Sequence, residues 1–263
     1  MSKKALCIGI NDYPGTQNDL SGCVNDANDW AAELTARGFT VDKLLDAAAT
    51  KAAMVAAIGG LIDGAAKGDS LIFTYSGHGT WVPDRSGDEP DGRDEALCPH
   101  DLATKGALLD DDIHALFSRR KAGVRIVLIS DSCHSGSVTR GSEEDIDPGV
   151  PRIRFMPPEA WMAKEDLPPA QLRAAIPRGG FTRAGGDLLL AGCLDTEYSY
   201  DTRFNGRPNG AFTFYALKAL REAKPTSYEK WFNAIRAYLP STRLPQTPQI
   251  FGTKTARRFK IFQ

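Results

Sequence analysis

The sequence predicts an α/β fold built on a mostly parallel sheet of about six strands, flanked by helices on both faces. Two observations point there. Short continuous apolar runs recur along the chain, as in strands buried on both faces, and helix-length amphipathic stretches separate them. With 263 residues, 42% hydrophobic and 25% charged, the chain is long enough to bury such a sheet.

Residues 5–10 (ALCIGI) are the first apolar run, bounded by turn residues. A helix follows over residues 24–37, ended by Gly38, which tolerates the left-handed turn after a last helical residue. Residues 39–45 read as a second strand, 51–63 as a second helix and 70–75 (SLIFTY) as a third strand. Residues 110–120 place acids at the start and bases at the end of a helix, as its dipole favours. Residues 124–130 (VRIVLIS) are a fourth strand. The pattern then breaks: residues 138–183 hold seven of the 16 prolines and the cluster Glu143-Glu144-Asp145. Single helical turns fit at most at 160–164 and 170–175, and such a stretch inside a compact domain reads as a functional loop or a linker. Strand 187–193 (DLLLAGC), helices near 211–223 and 228–239, and a short strand around 249–251 complete the chain. The expected organisation is a larger portion (1–137), a proline-rich loop (138–186) and a smaller portion (187–263), all sharing one sheet.

Composition excludes several classes. The net charge of −1 gives no sign of a nucleic-acid or membrane partner, and no apolar stretch approaches a membrane span. The first residues lack a signal-peptide core, and five cysteines at irregular spacing do not form a disulfide framework, so a cytoplasmic location is expected. The charge is unevenly spread, however. Residues 84–112 hold ten acids and three bases, a local −7, so the rest of the chain carries +6.

Chemistry concentrates at two strand ends. The third strand runs into Ser76-Gly77-His78-Gly79 and the fourth into Asp131-Ser132-Cys133-His134-Ser135-Gly136. Ligands in open α/β sheets bind beyond the carboxyl ends of strands, and neighbouring strands lie about 5 Å apart. If these two are neighbours, His78 faces Cys133, as a thiol nucleophile and its base require. The amides of Gly79 and Cys133 are candidates for an oxyanion hole. His134, next to Cys133, points elsewhere. Cys98 and His100, with Cys133 and His134, lack the spacing of a zinc site.

These motifs together resemble the metacaspases and their bacterial caspase-like relatives. The matching pieces are CIGINDY (7–13), SGCVNDA (21–27), FTYSGHGT (73–80), DGRDEALCPHD (91–101), LLDDDIHALF (108–117) and VLISDSCHSGS (127–137). LLLAGCLDTEYSYD (188–201) and NGAFTFYALKAL (209–220) match less closely, and the QAC[RQG]G nucleophile motif of animal caspases is absent. The resemblance implies a caspase-like fold and a cysteine endopeptidase with His78 as base and Cys133 as nucleophile. It also implies cleavage after Arg or Lys, with Asp26 and Asp131 as the carboxylates of the S1 pocket and Ser76 lining it. Independently, Asp131 stands at the strand end leading into Cys133, where a desolvated carboxylate favours a guanidinium or ammonium. Asp26 also reads as a helix N-terminal acid, and Asp131 as an orienter of His78. Residues 197–201, with Ser199 and Tyr200, resemble the segment that pairs with the substrate backbone.

For the acidic segment, the resemblance implies calcium regulation through Asp94, Asp110 and Asp111. A fourth family ligand position holds Arg140; the alternatives are that Glu143, Glu144 or Asp145 substitutes for it, or that the site is weak or absent. The bland alternatives are a solvated loop and an N-cap at Asp110. The loop also carries Arg140, Arg152, Arg154, Lys164, Arg173, Arg178 and Arg183, which are candidate points of self-cleavage or of cleavage by an upstream protease. The expectation is a monomeric zymogen acting on protein or peptide substrates, with no organic cofactor. Two competing readings are a catalytically silent scaffold on the same fold and a thiol hydrolase with a small-molecule substrate.

Overall fold

Alternate residues of each apolar run face opposite layers of helices, because successive side chains of a strand point to opposite faces. The computed structural model describes residues 1–84, 87, 92–134, 150–167 and 187–263. Strands β1 (Lys3–Gly9), β2 (Thr40–Leu45), β3 (Ser70–Ser76), β7 (Arg125–Asp131), β9 (Leu188–Ala191) and β12 (Gln249–Gly252) form one sheet. Its spatial order is β12-β9-β7-β3-β1-β2, parallel except for β12. Strands from both sides of the proline-rich segment therefore share it.

On one face, Leu6, Ile8, Leu71, Phe73, Ile126 and Leu128 pack against helix α2 (Lys51–Asp63) and helix α4 (Asp110–Ser118). On the other, Ala5, Cys7, Ile72, Val127 and Ile129 meet helices α1 (Cys23–Ala36), α5 (Ala211–Ala223) and α6 (Tyr228–Arg236). Trp30 of α1 and Trp231 of α6 meet edge-on with centroids 5.9 Å apart, and Trp231 Nε1 donates to the Ala216 carbonyl at 2.9 Å. Thr50 caps α2 by accepting from the Ala53 amide. After α1, Gly38 has φ +85°, the left-handed conformation its position required. No helix among the described residues is long and apolar enough to cross a membrane.

The large elements match the sequence pattern within a few residues; α6 stops three residues short of its expected end, at Arg236. The differences lie in short strands. Much of the acidic segment is not a solvated loop. Strands β4 (Gly79–Pro83), β5 (Arg93–Leu97) and β6 (Leu108–Leu109) form a small antiparallel sheet in which every residue of β5 is buried. RDEAL carries no apolar alternation, so periodicity could not find it. What buries it is pairing, together with Arg93 stacked 4.1 Å over the Trp81 ring. Strands β8 (Arg152–Ile153), β10 (Tyr200–Phe204) and β11 (Arg207–Gly210) form another small sheet. The β10–β11 turn is Asn205-Gly206, both at positive φ, a hairpin signal legible in the sequence that the periodicity reading passed over. Single turns occur at residues 158–160 and 164–166, while the helical turn expected at 170–175 lies outside the described residues.

Candidate active site

β3 and β7 are paired in parallel with Ser76 level with Asp131, so continuing the register sets His78 level with Cys133. Both are buried. The His78 amide donates to Tyr13 Oη at 2.8 Å, and Tyr75 Oη lies 2.6 Å from the His78 carbonyl. The His78 ring meets the Asn18 carbonyl at 2.5 Å through Nε2. A carbonyl only accepts, so Nε2 carries the proton and Nδ1 keeps a lone pair. Nδ1 is buried without a hydrogen bond of normal geometry and faces the backbone of Arg154. Burial lowers the His78 pKa to about 4, which leaves the ring neutral at pH 7. Asp131 does not orient this ring; the Asn18 carbonyl does.

Asp131 instead belongs to a buried acidic pocket with Asp26 and with Asp201, which the sequence reading did not single out. Into this pocket projects Arg154, fully buried and directly after β8. Its guanidinium lies 2.7 Å from Asp26, 3.2 Å from Asp131 and 3.2 Å from Asp201. Nη1 also donates to Ser76 Oγ at 3.2 Å. Each carboxylate is held by further donors. Asp26 accepts from Ser76 Oγ (2.9 Å), Asn209 Nδ2 (2.8 Å) and the Gly210 amide (3.0 Å). Asp131 accepts from Ser199 Oγ (2.5 Å) and from the Thr213 amide (2.9 Å), in the first turn of α5 where the helix dipole favours an anion. Asp201 accepts from the amides of Ser21 (2.6 Å) and Gly22 (3.2 Å). Asp26 lies in the first turn of α1 as well as in this buried acidic cluster. A Cβ on Gly210 would collide with the Asp131 carboxylate and the Arg154 guanidinium, so glycine lets backbone form that wall.

The backbone of Arg154 is held as fully as its side chain. Its carbonyl accepts from the amides of Gly79 (3.0 Å) and Cys133 (3.2 Å), the two amides the sequence suggested as an oxyanion hole. Its amide donates to the Ser199 carbonyl at 2.9 Å, and β8 pairs antiparallel with β10 through Tyr200↔Ile153 and Asp201↔Arg152. The Met156 amide donates to the Gly79 carbonyl at 2.8 Å. A Cβ on Gly79 would strike the Cys133 carbonyl, so the close approach of these two loops requires glycine.

The other candidates separate from this cluster. His134 is buried with Nδ1 3.1 Å from the Ala96 carbonyl and Nε2 3.2 Å from Ser132 Oγ, and burial lowers its pKa to about 4. Cys193 packs with Cys133, Trp81 and Phe155; its contact with Cys133 and its burial push its thiol pKa up. Asp94 and Asp110 are buried and Asp111 is exposed; continuing the Ala96↔Leu109 register brings 94–95 level with 110–111. Among the described residues no group of three His, Cys, Asp or Glu side chains is placed to hold a metal ion. Two buried carboxylates suit a hard cation but fall short of its six to eight oxygen ligands. Glu143, Glu144 and Asp145 lie outside the described residues, as do Arg140, Arg173, Arg178 and Arg183.

Asn18, Arg154 and Asp201 are the site residues that sequence reasoning missed or left among many. A backbone carbonyl has no residue signature, and Arg154 was one of seven bases in the loop. Asp201 closes the motif YSYD and was visible only as the end of the segment expected to meet a substrate.

A sheet in this order, with His78 and Cys133 beyond adjacent strand ends, is the caspase fold. Caspase-1 from Spodoptera frugiperda has the same fold, with a TM-score of 0.57 over 95% of this chain and 85% of that one, at 12% identity. The chain belongs to the metacaspase family: residues 3–140 match the metacaspase, peptidase C14 domain. Metacaspase-1 of Cryptococcus neoformans var. neoformans serotype D is 34% identical over 94% of this chain and 62% of its own length. Metacaspase-1 of Mycosarcoma maydis is 32% identical, with 69% of its length covered. The crystal structure of protein GSU0716 from Geobacter sulfurreducens is 33% identical, with a TM-score of 0.73 over 100% of this chain and 99% of that one. The chain thus spans about three fifths to two thirds of the fungal relatives' length.

Proposed function

We propose that the chain is a cysteine endopeptidase cleaving after Arg or Lys. One observation carries this reading: the chain's own Arg154 is bound with its guanidinium among three buried carboxylates and its carbonyl on the amides of Gly79 and Cys133. That is how a P1 arginine must be held for attack by a thiol. The Cys133 sulfur adds to the P1 carbonyl carbon while His78 Nδ1 takes the thiol proton. The two amides stabilise the oxyanion. Collapse breaks the C–N bond, and His78 passes its proton to the leaving amine. Water then adds to the thioester with His78 again as base, releasing the acid and restoring Cys133. Ser199 and Tyr200 bind the substrate backbone as an added strand.

The test uses peptides with Arg, Lys or Asp before a fluorophore, each with calcium and with chelator. Turnover of Arg and Lys peptides, absent for Asp peptides, is expected; turnover after Asp alone would sink the pocket assignment. Hydrolysis of small thioesters or amides with no peptide turnover would favour a small-molecule hydrolase. Calcium, as an activator, would be held by Asp94, Asp110 and Asp111 with ligands from elsewhere in the chain, supplying positive charge that orders the segment beside the site. Loss of activity in chelator, restored by calcium, would support this.

A pH dependence follows from the pocket. Burial, opposed by Arg154 and reinforced by Asp131, raises the Asp26 pKa to about 7 with an arginine bound. Asp26 therefore loses its charge as pH falls through about 7, and the hold on arginine weakens. A lost charge-assisted hydrogen bond is worth about 1.5–3 kcal/mol, so KM for an Arg peptide is expected to rise by roughly 10- to 150-fold from pH 8 to 5.5. A flat KM across that range contradicts the pocket role of Asp26.

A further inference from the structure

We propose that Trp81, Cys193 and Tyr198 form a seat for the substrate residue immediately after the scissile bond, and that this seat selects a large apolar side chain. The inference deepens the peptidase reading of the site and rests on it. The acidic pocket reads the residue before the cut; the seat lies on the other side of the reacting carbonyl.

Residues 152–156 mark the path of a backbone through the site. Residues 152–153 pair with β10, and the Arg154 guanidinium occupies the acidic pocket. Past the Arg154 carbonyl, strand β4 takes over. Phe155 bridges to Gly79 in parallel, and the Met156 amide donates to the Gly79 carbonyl at 2.8 Å. Successive side chains of an extended segment point to opposite sides, so the residue after the arginine turns away from the carboxylates. Phe155 does so. It is 9% exposed and clusters with Trp81, Cys133 and Cys193, with Tyr198 packed against them.

The walls of this seat are fixed from outside it. Trp81 is 3% exposed, and the Arg93 guanidinium of β5 stacks 4.1 Å from its ring centroid. Cys193 Sγ lies 3.7 Å from the Ser132 carbonyl, next to the nucleophile. Trp81 follows Gly79 by two residues on the same strand, so the strand that offers an amide to the reacting carbonyl also carries the main wall of the seat. Moving a phenylalanine-sized side chain from water into such a seat favours binding over alanine by roughly 10- to 100-fold. An aspartate would give up its hydration to enter a place walled by rings and thiols, so it is selected against. Trp81 lies one residue beyond the motif FTYSGHGT (73–80), and no sequence pattern marked it.

Internally quenched peptides that differ only in the residue after Arg, which is Phe, Leu, Ala or Asp, test this with calcium present on wild type, Trp81→Ala and Trp81→Leu. The readout is the ratio of kcat/KM values within each protein. A partial loss of folded enzyme, and the cost of displacing residues 152–156, cancel from that ratio. Wild type is expected to favour Phe and Leu over Ala by on the order of 10- to 100-fold, with Asp below Ala. Trp81→Ala is expected to bring the Phe-to-Ala ratio within about threefold of unity, whereas Trp81→Leu keeps an apolar wall and a smaller preference. If Trp81→Ala does not fold, the wild-type ratio and Trp81→Leu decide the matter. Equal turnover of the four peptides by wild type, fastest turnover with Asp, or a ratio unchanged in either variant overturns this inference and leaves the peptidase reading intact. Turnover of none of the four by wild type overturns both.

Discussion

Asp131→Asn is expected to lower kcat/KM for arginine peptides by roughly 100- to 5,000-fold, the scale of removing one partner from a buried ion pair, about 3–5 kcal/mol. The buried guanidinium would lose one of three carboxylates, and the amide NH2 would place a donor where Ser199 Oγ or the Thr213 amide now donates. The sign of the effect is informative. If Asp131 served only to anchor Arg154 over the site, the substitution would free the site and raise turnover. A fall measured at substrate well below KM, with kcat less affected than KM, assigns Asp131 to substrate binding; an unchanged or higher kcat/KM removes it from the pocket.

His78→Ala is expected to cost on the order of 10⁴-fold or more in kcat, the scale seen when one member of a nucleophile–base pair is removed. Nothing else in the site can stand in. His134 is engaged with Ser132 and the Ala96 carbonyl, and Asp131 is engaged with Arg154 and the start of α5. Because the His78 tautomer is set by the Asn18 carbonyl, His78→Gln is expected to fail as badly. A rate within tenfold of wild type for either variant would mean that another group takes the Cys133 proton. KM should change little, since no His78 side-chain atom touches the arginine pocket's carboxylates.

Much of this was legible in the residues. The buried strands β1, β3 and β7 and the helices α2 and α5 follow from apolar runs and 3.6-residue periodicity, which are local properties. The pairing of His78 with Cys133 was legible because each motif sits at a strand's carboxyl end, and the register of β3 on β7 does the rest. The short strands β5, β8 and β10 were not, since RDEAL, RI and YDTRF owe their place to pairing and not to composition. The acidic segment illustrates the same limit: charge counting saw carboxylates, whereas burial turned three of them, Asp94, Glu95 and Asp110, into interior groups.

By itself the sequence determined the sheet, its two covered faces, and which thiol and imidazole stand at its rim, because alternation and strand ends are written in consecutive residues. Only the tertiary structure decided that Asp201 joins Asp26 and Asp131, that Asn18 fixes the His78 tautomer, and that Arg154 fills the pocket. Those groups lie tens to more than a hundred residues apart, and desolvation and hydrogen-bond geometry act on distance in space, to which position along the chain is blind.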